Sequence, residues 1–140
     1  MAVEGKYCTW STKAGADLSD LTAGTGAIYK AVTQLGVKAT TPGVAAAGIL
    51  LYGGTSGQHV TVGTTGEMKF TAGAAVTSVN APLSVAANGY LTVATSGDYI
   101  VGRFTEGTNR STSITSGSVG TGLFDFVNPM YVVNSNGLTF

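Results

Sequence analysis

Along short stretches of this chain, apolar and polar residues alternate with a period of two. Each stretch is cut by glycine, serine, threonine, asparagine or aspartate, and 21 of the 140 residues are glycine. That pattern excludes long amphipathic helices and selects short strands joined by tight turns. Strands are expected at 27–33, 44–51, 59–64, 67–72, 83–86, 90–94, 99–104, 122–126 and 131–133. Turns fall between them at Gly53-Gly54-Thr55-Ser56-Gly57, Thr64-Thr65-Gly66, Ser96-Gly97-Asp98 and Thr115-Ser116-Gly117-Ser118. Glycine supplies positive φ there, and the short polar side chains bond back to the backbone. A single short turn is expected at Asp17-Leu18-Ser19-Asp20-Leu21.

One hairpin is legible in register. Leu83-Ser84-Val85-Ala86 and Tyr90-Leu91-Thr92-Val93 flank Ala87-Asn88-Gly89. A two-residue turn mixes apolar and polar residues on each face. A three-residue loop, with Gly89 in the left-handed region, sets Val85 opposite Leu91, Leu83 opposite Val93 and Ser84 opposite Thr92. One face is then apolar and the other carries hydroxyls, so this register is selected. Elsewhere Met68, Phe70 and Ala72 point one way and Glu67, Lys69 and Thr71 the other. Tyr99 and Val101 share a face with Arg103. The fold class is therefore all-β: a small single-domain β-barrel or β-tulip-like sandwich with extended N- and C-terminal arms. Residues 1–25 form the N-terminal arm, 27–126 the β core and 127–140 the C-terminal extension.

Charge is sparse. Seven basic and seven acidic side chains make 10% of the chain, against about 25% in ordinary soluble domains. The apolar share is 44% and mean hydropathy is +0.27. Such a surface is covered by hydroxyls and glycine or buried against other subunits, and a symmetric homotrimer is expected. No basic patch points to nucleic acid. Residues 1–6 carry no basic region followed by an apolar run, so no signal peptide is expected. The longest apolar run, 44–52, is far short of the ~20 residues of a membrane span.

The chain is also poor in chemistry. It has one histidine (His59), one cysteine (Cys8) and one tryptophan (Trp10). His59 has no second histidine to share a metal, Cys8 reads as a small apolar residue, and no nucleophile elbow surrounds any serine. Gly53-Gly54-Thr55-Ser56-Gly57 lacks the lysine of a phosphate loop. Neither catalytic activity nor a cofactor is expected. Tyr7, Trp10, Tyr131 and Phe140 lie on end segments with little alternation, and they are the expected interface anchors.

The central region resembles the capsid decoration, or cement, proteins of tailed bacteriophages. The resemblance runs from Ala16-Asp17-Leu18-Ser19 to Glu106, through Tyr29-Lys30-Ala31-Val32, Ala47-Gly48-Ile49-Leu50 and Gly57-Gln58-His59-Val60-Thr61-Val62. It continues in Thr71-Ala72-Gly73-Ala74-Ala75-Val76, Ala81-Pro82-Leu83-Ser84-Val85, Asn88-Gly89 and Ala94-Thr95-Ser96-Gly97-Asp98-Tyr99-Ile100-Val101-Gly102. It implies a trimer on the outer surface of an icosahedral head, made in the host cytoplasm and clamping neighbouring copies of the major capsid protein. The other function considered is a β-sandwich module that binds carbohydrate on a tail or cell surface. That needs aromatics and carboxylates converging on one face.

Overall fold

The computed structural model describes residues 8–20, 26–39, 46–95, 97–127 and 130–131. Ten strands are described: β1 (Cys8–Lys13), β2 (Ala31–Val32), β3 (Gly48–Tyr52), β4 (His59–Thr71), β5 (Pro82–Val85), β6 (Leu91–Val93), β7 (Tyr99–Ile100), β8 (Gly102–Glu106), β9 (Val119–Asp125) and β10 (Met130–Tyr131). Two 3₁₀ turns, Ala87–Gly89 and Thr108–Arg110, complete the regular structure, and the described residues contain no α-helix. Seven strands form a nearly closed antiparallel sheet in the order β2-β3-β4-β9-β8-β5-β6, with β1 added on β4. A parallel bridge between Ala72 and Leu91 joins β6 back to the end of β4. Gly73 donates to the Leu91 carbonyl at 2.9 Å beside it. The all-β barrel-like fold read from the alternation is the fold observed.

β4 organises the molecule. Its first half pairs with β1 along one edge and β3 along the other. From Thr65 onward β4 pairs with β9. Two apolar clusters result. Ala14, Leu18, Ala27, Val32, Leu50, Val60 and Val62 gather under the first half. The barrel holds the larger cluster, built around Met68, Phe70, Leu83, Val85, Leu91, Phe104, Phe124 and Phe126. Phe70 meets Phe104 and Phe124 edge-on, with centroids 6.3 and 5.6 Å apart, the arrangement favoured by the ring quadrupoles.

The 83–93 hairpin has the expected register: Leu83↔Val93, Ser84↔Thr92 and Val85↔Leu91. Gly89 has φ +78 as expected, and Asn88 joins it in the left-handed region at φ +60. The hydroxyl face is not solvated, however. Ser84 is buried, and its Oγ donates to Asp98 Oδ2 at 3.1 Å. The alternation of Met68, Phe70 and Ala72 inward also holds, although Thr71 on the opposite parity is fully buried too.

Other expectations are corrected. Thr64-Thr65-Gly66 is not a turn, because β4 runs through it unbroken. Gly66 takes φ +112 inside the strand, and the register of β4 against β1 shifts beside it, between Thr65 and Gly63. The expected 27–33 strand shrinks to β2, since Tyr29 has φ +63, outside strand geometry. The 99–104 strand breaks at Val101, which is buried while Arg103 is exposed, so the two do not share a face. β9 starts at Val119, earlier than the glycines led us to expect. Residues 17–20 form no helical turn; Asp17 instead accepts from Ser19. Residues 8–13, assigned above to an N-terminal arm, form β1, and Ala14 and Leu18 are buried behind it. At the other end β10 pairs with β7, Met130 with Ile100 and Tyr131 with Tyr99.

Two stability predictions follow from this packing. A Cβ at Gly89 would lie 2.6 Å from the Ala31 carbonyl oxygen and 3.0 Å from Lys30 Cβ, whereas one at Gly97 (φ +91) would meet nothing within 4 Å. Gly89→Val is therefore expected to cost more than about 2 kcal/mol in urea unfolding, and Gly97→Ala about 1 kcal/mol from backbone strain alone. Thr71 Oγ1 is buried with no hydrogen-bond partner among the described residues. Thr71→Val keeps the β-branched shape and removes the orphan hydroxyl, so stability should rise by about 1 kcal/mol in the same assay.

Candidate docking surface

The polar side chains with legible roles serve the fold. Asp98 Oδ2 accepts from Ser84 Oγ and from the backbone N–H and Oγ1 of Thr95, at 3.1, 2.9 and 3.0 Å, which fastens the turn after β6 onto β5. Asp125 Oδ1 accepts the Val127 N–H at 3.0 Å. Asp17 Oδ1 accepts the Ser19 N–H at 3.0 Å and its hydroxyl at 2.5 Å. Those two bonds, the hydroxyl first, stabilise the carboxylate and hold its pKa below the ordinary 3.8. Between Asp17 and Ser19, the buried Leu18 donates its N–H to the Gly54 carbonyl at 2.9 Å. His59 stands exposed at the start of β4, paired with Lys13. No group of three or more His, Cys, Asp or Glu side chains gathers among the described residues.

Of the four expected anchors, the side chain of Trp10 alone lies among the described residues. Tyr7 and Phe140 lie outside the described residues. Tyr131 is placed only through its backbone pairing with Tyr99. Trp10, on β1, is 38% exposed and pairs with Val62, while Tyr52, 66% exposed, pairs with Thr61. Tyr52 lies beyond a bulge in β3, between Leu50 and Tyr52, and no ring contact joins it to Trp10 among the described residues.

A different surface stands out. β4, β9 and β8 lie side by side and turn Glu67, Lys69, Thr121, Leu123, Arg103 and Glu106 to one side. Their inner face belongs to Met68, Phe70, Phe104 and Phe124. Gly120 and Gly122 of β9 leave room for those rings: a Cβ at Gly122 would sit 2.8 Å from Phe124 Cε2, and one at Gly120 would sit 3.3 Å from Phe104 Cε1. The bulky residues of β9 are thus Phe124 inside and Leu123 outside, the latter 53% exposed. An open groove of about 340 Å³ runs past Leu123, with Arg103 and Asp125 on its walls and Gly102 and Phe124 in its lining. This face is not legible in the sequence, because β9 begins at Val119, ahead of the expected Gly122, and the partners of β4 come from distant segments. Its one visible signal was the alternation of Glu67 and Lys69 with Met68 and Phe70.

No protein-family model matches the chain, and no curated protein sequence is similar to it. Solved structures do show a likeness of fold. The fold is similar to that of a phage head-fiber base. The crystal structure is that of the N base of head fiber gp8.5 of bacteriophage phi29, at a TM-score of 0.55 and 13% identity, covering 86% of this chain and 95% of that one. At that identity the likeness is one of fold.

The depressed Asp17 pKa has a direct check. Its folded-state value is lowered, so its contribution to stability is present above 3.8 and is lost as pH falls through the lowered value. An NMR titration should place Asp17 below 3.8, and Ser19→Ala should move it back up towards 3.8.

Proposed function

We propose that this chain is a structural protein of a phage head, carried on the outer surface of the shell and bound to the major capsid protein. The observation that carries this reading is the likeness of fold to a head-fiber base over 86% of the chain. The finer reading, a cement protein clamping the shell, is taken from the resemblance of residues 16–106 and belongs to the proposal. The geometry is also of the right kind. Hydroxyls and carboxylates hold turns in place, and the exposed face offers contact residues in preference to reactive groups. On a shell, many copies each making a modest contact would bridge capsid subunits and raise the barrier to rupture through avidity. The carbohydrate-module reading needs aromatics converging on one face, and no ring contact joins Trp10 to Tyr52 among the described residues.

The test is to label the chain in the phage that encodes it and to separate heads from tails on a density gradient. The label should travel with heads, and heads lacking the chain should release DNA at a lower temperature. A label on tails, or free in the lysate, would contradict the proposal.

A further inference from the structure

The outward face of β4, β9 and β8 carries a regular charge pattern. Register sets Glu67, Leu123 and Arg103 in one row across the strands, and Lys69, Thr121 and Glu106 in the next. Glu106 sits across a bulge from Thr121. The sign alternates along β4, along β8 and between the two, with Leu123 and Thr121 at the centre. Among the described residues none of these four charges forms an ion pair; Lys69 lies 5.8 Å from the Tyr29 ring centroid. A face of this kind is complementary to itself. Turned over about an axis that crosses the strands between the two rows, it sets Glu67 against Lys69, Arg103 against Glu106 and Leu123 against Thr121.

We propose that this face docks on the same face of a second copy of the chain, through that two-fold axis. Asp125 selects the axis. A two-fold along β9 would also match opposite charges, but it would set Asp125 against its own counterpart, a like-charge contact. Self-complementarity is the condition for an isologous pair, whereas a three-fold ring needs a second, different surface to receive the first. The composition that led us to expect a trimer does not distinguish these symmetries; the placement of the charges does.

The contact is small. Three strands ~4.8 Å apart, with outward residues ~6.8 Å apart, span roughly 15 by 20 Å, below the ~800 Å² per partner of a stable interface. The ion pairs are exposed and screened by salt. Pairing is therefore weak in dilute solution and favoured wherever copies are held close together.

Sedimentation of the full-length chain up to about 1 mM, at low salt and in about 1 M salt, tests the proposal. The expected result is a monomer–dimer equilibrium that salt weakens. Glu67→Lys should weaken pairing by about tenfold or more, and adding Lys69→Glu should restore it, with the unfolding midpoint unchanged throughout. Arg103→Glu, rescued by Glu106→Arg, gives an independent reading on β8 should the β4 variants fail to fold. With the axis along β9, the double exchange on β4 would instead oppose like charges to Arg103 and Glu106 and stay monomeric. That outcome overturns the geometry. A monomer at the highest concentration, a mass of three copies, or a single reversal without effect overturns the pairing. So does a monomeric chain whose reversal variants lose binding to heads, which would assign the face to the shell.

Discussion

One strand belongs to both halves of this protein, and its continuity is the constraint on which the rest depends. β4 runs from His59 to Thr71 without a break. Val60 and Val62 close the smaller cluster, and Met68 and Phe70 close the barrel. A strand with strict alternation throughout would not serve both, and β4 carries an irregularity midway, where its register against β1 shifts between Thr65 and Gly63. Gly66 takes a φ of +112, and Gly63 leaves its side-chain volume to Met68 Sδ, which occupies the place a Cβ would need. β4 pairs with β1 and β3 along its first half and with β9 from Thr65 onward, and the barrel closes where Ala72 meets Leu91.

The same strand links the core to the surface. Inside the barrel, glycines on β8 and β9 yield space to phenylalanine rings, so β9 exposes Leu123 with Glu67 and Arg103 on either side of it. The charges are few, yet four of the fourteen stand within two adjacent rows of one face. A chain sparing in charge leaves most of its surface neutral, which makes such a concentration informative about contact. Hydroxyls and carboxylates elsewhere hold turns, as Asp98 does for Thr95 and Ser84.

Much of the fold was legible because local rules and tertiary structure agree. The 83–93 hairpin could be read to the residue, since only one register buries Leu83, Val85 and Leu91 together. What the alternation does not encode is whether a glycine ends a strand or sits within it. Thr64-Thr65-Gly66 has turn composition, and only the ladder with β9 shows that pairing continues through it. Tyr29 gave no warning of its positive φ, because aromatic residues favour strands; its carbonyl accepts the Thr71 N–H at 2.9 Å in that conformation. The docking face was hidden for a third reason. Its residues come from 67–69, 103–106 and 121–123, and only non-local pairing makes them neighbours. The aromatic anchors read from the chain ends rest on weak patterning; Tyr7 and Phe140 lie outside the described residues, Trp10 stands on β1, and Tyr131 is placed through its backbone pairing with Tyr99.

Hydrogen exchange under native conditions tests the central claim most directly. If β4 makes one cooperative unit of both clusters, the amides of Val60 and Val62 and those of Met68 and Phe70 should exchange through the same global opening. They should then show the same free energy and the same denaturant dependence. Exchange of the Val60–Val62 half through a separate, cheaper opening, while the barrel half stays protected, would show two units joined in series and contradict the account.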